Sequence, residues 1–222
     1  MKRVRAGQTD QRGLWIALFG PDGAGKSAVI DRLQQDLRNE FSGVVRFHFR
    51  PHFRLCASGG APVTNPHGQK PRGVILSALK LVYWLVDCWC GYVFAVVPMR
   101  RRGRLVVFDR YYPDVLVDPV RYRLPPHTVR LAAALARIAP RPDLCILLDA
   151  PAEVVQQRKR EISPSELQRQ RSAYWKLFQT LNPTLAVNAS PPLGVVADDV
   201  RSVVTALLID SHLQRHLILA DF

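Results

Sequence analysis

The sequence predicts an α/β fold: a five-stranded parallel sheet with helices on both faces, in one domain over residues 14–222. Short, continuous apolar runs recur along the chain, as strands covered on both faces require. Helical apolar stripes separate them, and a Gly-rich turn joins the first run to the first stripe. Strands that alternate with helices pair in parallel, because each crossover returns the chain to the same edge of the sheet.

Residues 14–19 (LWIALF) are the first apolar run, and Val29, Ile30, Leu33 and Leu37 mark one face of a helix over 27–38. Residues 44–49 (VVRFHF) are β-branched and aromatic, a second strand. Residues 50–73 hold several Pro and Gly with little periodicity and read as a long functional loop. Residues 74–98 are strongly apolar and predict a helix. Strands resume at 104–109 (RLVVFD) and 143–149 (DLCILLD); the helix between them, 128–139, is stopped by Pro140. Helices over 152–161 and 165–181 meet at Ser163-Pro164, then a fifth strand, 185–189 (LAVNA), precedes a helical pattern over 193–217. Residues 1–13 form a basic tail without the apolar segment of a secretory signal.

Charge narrows the partners. Against 18 Asp and Glu stand 31 Lys and Arg, a net charge of +13 that favours phosphates, nucleic acid or an acidic membrane face. No helix-turn-helix or basic-aromatic RNA motif accompanies it, which argues against nucleic acid. Cys56, Cys88, Cys90 and Cys145 fit no metal spacing and read as free thiols in a reducing cytoplasm. His212 and His216 lie one helical turn apart, but HLQRH lacks the Glu of a zinc-protease motif.

The turn Gly20-Pro21-Asp22-Gly23-Ala24-Gly25-Lys26-Ser27 matches G-x-x-x-x-G-K-[ST]. Its glycines let backbone N–H groups point inward around phosphates, Lys26 reaches the terminal phosphates, and the Ser27 hydroxyl can ligate Mg²⁺. The following helix adds its positive end. Gly20, Asp22, Gly23, Ala24, Gly25, Lys26 and Ser27 are therefore the predicted ATP-binding loop of a P-loop NTPase-type three-layer fold. An acid at the carboxyl end of a neighbouring strand completes such a site. Asp109 and Asp149 both qualify by pattern; Asp109 is favoured because Arg110 places a cation beside the transferred phosphoryl.

GPDGAGKS, followed by DRYY (109–112), resembles the thymidylate kinases among the nucleoside monophosphate kinases, and LLDA-P-AEV (147–154), a basic Arg158-Lys159-Arg160 stretch and NAS (188–190) keep the family's order. The resemblance spans roughly residues 14–215. It implies catalytic roles for Lys26, Asp109, Arg110, Arg158 and Arg160, the last two closing over the transferred phosphoryl from a short lid at 158–165. It implies that Ser27 and Asp109 hold Mg²⁺, that Asp22 bonds an acceptor sugar hydroxyl, and that Arg50 and Tyr111 serve the acceptor from the loop 50–73 and the DRYY segment.

The acceptor half departs from the family. No Arg occurs between Arg72 and Arg100, where thymidylate kinases carry a base-reading arginine; Lys80, Asp87, Trp84 and Trp89 stand there instead. Two further readings follow, a kinase for a sugar or surface-polysaccharide precursor and a nucleotide-dependent regulatory binding protein. Arg110 and the lid arginines favour the enzyme. Residues 74–98 are long enough to span a bilayer, but Lys80 and Asp87 would each cost about 2.5–3.5 kcal/mol at its centre. That segment is expected to be a buried or homodimer-interface helix, with peripheral contact to acidic membrane, helped by Arg100, Arg101, Arg102 and Arg104, as the alternative.

Overall fold

The computed structural model describes residues 12–50, 73–158 and 163–220, with backbone alone for 212–220. Its centre is a five-stranded, wholly parallel sheet in the order β2-β3-β1-β4-β5. The strands are β1 (Trp15–Phe19), β2 (Val44–His48), β3 (Leu105–Asp109), β4 (Leu144–Asp149) and β5 (Thr184–Asn188), each within a residue of the predicted run. The helices are α1 (Lys26–Asp36), α2 (Val74–Gly91), α3 (Val97–Arg101), α4 (Val129–Ile138), α5 (Ala152–Arg158), α6 (Pro164–Phe178) and α7 (Leu193–Ala220). Ser163 caps α6 by accepting from the Glu166 amide at 3.3 Å, ahead of Pro164 at its first turn.

Alternation along the strands divides the core in two. Ile16 and Leu18 of β1 meet Val107, Ile146 and Leu148, covered by Val29, Ile30 and Leu33 of α1 and Val196 and Val200 of α7. Trp15, Ala17 and Phe19 point the other way, with Val106, Phe108 and Leu147, under Leu81 and Cys88 of α2, Ala132 of α4 and Tyr174 and Leu177 of α6. Helices thus cover both faces, the predicted three layers. Asp143 ties the amino edge together: its Oδ2 accepts from the Trp15 amide and its Oδ1 from Arg100 Nη2, both at 2.8 Å.

Segment 74–101 differs from a plain buried helix. It continues from α2 through a π-turn, Tyr92–Val96, into α3. By length and composition it could cross a membrane, yet it connects β2 and β3, which are paired neighbours in the sheet. Ser77, Leu81, Trp84, Leu85, Asp87 and Cys88 face inward, while Ile75, Leu79, Val82, Val86, Trp89 and Val93 are exposed. The two thiols on described core positions, Cys88 and Cys145, are free, and burial pushes each up to about 12.

Candidate active site

The register of the sheet assembles the site. Leu18 of β1 pairs with Asp109 of β3, and the Arg110 amide donates to the Leu18 carbonyl at 2.9 Å. The loop leaving β1 and the acid ending β3 therefore emerge side by side in the crevice at the carboxyl ends of the strands. In that loop Gly20 (φ 142°), Gly23 (φ 91°) and Gly25 (φ 93°) adopt left-handed backbone. At Gly20 a Cβ would also meet the Leu148 carbonyl oxygen at 2.7 Å, so neither conformation nor space admits a side chain.

Lys26 is buried, and its Nζ donates to the carbonyls of Gly20 and Pro21 at 2.7 and 2.8 Å. Burial and the Arg110 charge push its ammonium down to about 7, against the pull of Asp22, Asp109 and Asp114. Ser27 Oγ lies 3.2 Å from Asp109 Oδ2, so the two predicted Mg²⁺ ligands, 82 residues apart, do meet. Burial would raise the Asp109 carboxyl, but hydrogen bonding from His48, the Lys26 charge and Arg46 hold it well below the usual carboxylate range. Its Oδ1 is buried without a partner among the described residues. A hydroxyl and a carboxylate with an unused oxygen fit Mg²⁺, which takes few protein oxygens and completes its shell from substrate phosphates and water. Both oxygens of Asp149, by contrast, accept from Arg171, whose Nε and Nη2 donate at 2.7 and 2.8 Å.

Arg110 is almost fully buried in left-handed backbone (φ 67°). Its Nη1 donates to Asp114 at 2.9–3.0 Å and to the Tyr174 hydroxyl at 2.6 Å; its Nη2 donates to Asp22 Oδ1 at 2.6 Å. Tyr174 and Tyr122 in turn donate to Asp114 at 2.6 and 2.7 Å. Arg121 takes the second oxygen of Asp22. Burial opposes ionisation of Asp22, yet Arg110, Arg121 and Lys26 outweigh it and hold this carboxyl far below its ordinary value.

Two predicted roles change. Tyr111 does not face an acceptor: its ring packs against Trp15 and Phe108, and its hydroxyl donates to the Pro140 carbonyl at 2.7 Å. The left-handed turn at Arg110 sends the next side chain into the core. Arg158 is held away from a lid position by the carbonyls of Ala189 and Ser190, at 2.7 and 3.0 Å. There it borders a cavity of about 320 Å³ between Gly25 and Val29 on one side and Pro191 and Leu193 on the other. Arg50 is anchored, with Nη1 3.0 Å from Asp87 and its guanidinium over the rings of Tyr83 and Trp84 at 5.6 and 5.2 Å. Residues 51–72 and 159–162, Arg160 and half of the lid among them, lie outside the described residues.

Sequence reasoning missed Arg46, Asp114, Arg121, Tyr122 and Tyr174. Arg46 bonds both Ser27 Oγ, at 2.7 Å, and Asp109 Oδ2; its strand position, two residues before His48, gave no signal beyond a charge in an apolar run. The spacing of Arg110 and Asp114 in a polar-looking stretch was the available hint for the network. Removing Asp114 would leave Arg110 buried with one carboxylate. Asp114→Ala is therefore expected to destabilise the protein by about 3–5 kcal/mol, a fall in Tm of roughly 6–20 °C, measured by thermal unfolding.

No family model matches the chain. Among curated proteins, the "Probable thymidylate kinase" of Archaeoglobus fulgidus is 32% identical over 120 residues, 51% of this chain and 59% of its own length. The "Thymidylate kinase" of Xanthomonas campestris pv. campestris (strain B100) is 34% identical over 146 residues, 63% of this chain and 57% of its own. That of Xylella fastidiosa (strain 9a5c) is 40% identical over a shorter stretch of 63 residues. The chain thus spans less than two thirds of the length of the first two relatives. In sequence and in fold it is a thymidylate kinase-like P-loop protein.

Proposed function

We propose that the chain is a cytoplasmic phosphotransferase that moves the γ-phosphoryl of ATP, held with Mg²⁺, to a small acceptor, a nucleoside monophosphate before any other. The observation that carries this reading is the convergence of Lys26, Ser27, Asp109 and Arg110 at the carboxyl ends of β1 and β3. The backbone N–H groups of the loop cradle the donor phosphates, and Lys26 neutralises their terminal oxygens. The cavity beside Gly25 has the apolar walls and single arginine that suit the donor base. Bound Mg²⁺ would add charge stabilisation of the transferring group. Arg110, fixed by Asp22, Asp114 and Tyr174, offers its remaining N–H donors without reorganising, which is how such a site lowers the barrier.

On the acceptor side, Phe49, Trp84 and Tyr122 form an aromatic cluster, with Phe49 and Tyr122 stacked at 5.0 Å. Lys80 and Arg50 lie over Trp84. Arg50, arriving from β2, sets a guanidinium on the face of a helix that has no arginine of its own. Aromatic planes with cations suit a base and a phosphate monoester, but Arg50 is already bonded to Asp87 and is less free to read a base edge. In a panel of nucleoside monophosphates with ATP·Mg²⁺, at least one is expected to be phosphorylated, with dTMP below about 10⁴ M⁻¹s⁻¹ in kcat/KM. Arg110→Ala should lower kcat by on the order of 10²-fold or more with ATP affinity largely kept. If no monophosphate is phosphorylated although ATP binds, the acceptor assignment fails.

The donor assignment has a pH signature. In the free protein Lys26 titrates near 7, so at pH 8 most of it is neutral. Polyphosphate favours the ammonium form and raises that value, so ATP binding at pH 8 should take up a proton. Affinity should weaken as pH rises above 7. Calorimetry in two buffers of different ionisation enthalpy measures the uptake; Lys26→Ala should remove it together with turnover. Identical heats in both buffers would refute the assignment.

The reading extends to assembly as a homodimer. Ile75, Leu79, Val82, Val86, Trp89 and Val93 recur at alternating spacings of four and three, an apolar seam along α2 and the π-turn, and all are exposed. A helix partner fits such a seam better than the wide, cation-edged face of a membrane-surface helix. Sedimentation is expected to give a mass near twice the 25.0 kDa of one chain, and Val86→Glu to give the monomer. A monomeric wild type that pellets with anionic vesicles would assign the face to membrane instead.

A further inference from the structure

A second cavity, of about 340 Å³, lies away from the phosphate loop, between α4, α6 and the start of β4. The phosphate loop leaves the carboxyl end of β1; this cavity reaches Cys145 and Asn182, at the amino ends of β4 and β5. Its interior is apolar, built by Leu116, Ala136, Cys145 and Leu177. Its mouth carries Arg137, Arg141 and Lys176, all exposed, and no carboxylate lines it. Arg141 Nη2 donates to the Arg137 carbonyl at 3.4 Å; none of the three cations pairs with an acid among the described residues.

An apolar floor under three such cations defines a ligand by its chemistry. We propose that this cavity is a second ligand site, one that takes a small amphiphilic anion: an apolar body with a single carboxylate or phosphate. The volume bounds the size, since 340 Å³ equals on the order of eleven waters at about 30 Å³ each, hence a ligand of roughly ten non-hydrogen atoms. A cavity of this size is at the small end of ligand pockets, whose apolar walls hold the body and whose few polar groups fix its orientation. The Cys145 thiol is a neutral part of the floor, since burial pushes it up to about 12.

The site adjoins the machinery without belonging to it. Pro113 and Ala173 line the cavity; their chain neighbours Asp114 and Tyr174 hold Arg110. An occupant would therefore press on the turn and the helix that fix that arginine.

Octanoate, with ten non-hydrogen atoms, is the probe, and titration calorimetry of the full chain without nucleotide is the measurement. Octanoate is expected to bind with a Kd at or below about 1 mM, and octylammonium, its charge-reversed counterpart, about tenfold or more weaker. Replacing the exposed cations together (R137Q/R141Q/K176Q) should weaken octanoate about tenfold or more, the scale of one charge-assisted hydrogen bond. Ala136→Phe, which fills the cavity, should abolish binding. Equal binding of octylammonium, octanoate affinity unchanged in either variant, or no octanoate binding up to about 10 mM would overturn the proposal.

Discussion

The rest of the site depends on one buried cation. A guanidinium cannot shed its proton to escape a dry environment, so placing Arg110 inside the protein requires carboxylates around it. Asp114 supplies one on the following turn, and Asp22 supplies another on the phosphate loop. Tyr174 and Tyr122 use lone pairs that would otherwise go unsatisfied. One charge thus fixes three segments relative to one another: the loop after β1, the turn after β3 and helix α6. Ion pairs of this kind add little net stability compared with an apolar core, but losing one partner is severe, and that asymmetry makes the geometry all or none.

The electrostatics of the phosphate loop follow from the same arrangement. Arg110 lies close enough to depress Lys26, while the surrounding carboxylates keep it from falling further. Both Asp22 and Asp109 are held ionised by cations despite burial. The crevice is therefore a set of fixed, oriented charges in a region of low dielectric, where each counts for more than it would in water. On the proposed reading, an incoming polyphosphate meets charges that are already in place.

The side of the crevice that faces α2 is built on different physics. There α2 turns Trp84 and Asp87 inward and leaves an apolar seam outside. Asp87, buried on an otherwise apolar helix face, requires a cation, and Arg50 reaches it from the segment after β2. The pair pins the end of the segment that leaves β2 to the helix and gives the aromatic cluster its charge. A helix that lacks an arginine in its sequence thereby gains one in space.

What the sequence determined by itself was whatever depends on neighbours along the chain. Five apolar runs and the stripes between them set the strands, the helices and the parallel sheet, because side-chain period is a local property. The phosphate loop was legible for the same reason: its glycines, Lys26 and Ser27 all lie within a single turn of the chain. Asp109 was legible because a strand's last residue marks the crevice. Tertiary structure decided the rest. It joined Arg46 to Ser27, Arg121 to Asp22 and Tyr174 to Arg110, turned Tyr111 into the core, and paired Asp149 with Arg171. Those outcomes were invisible in the chain because a buried charge selects its partner by distance and geometry in the folded state, where residues far apart in sequence become equally near.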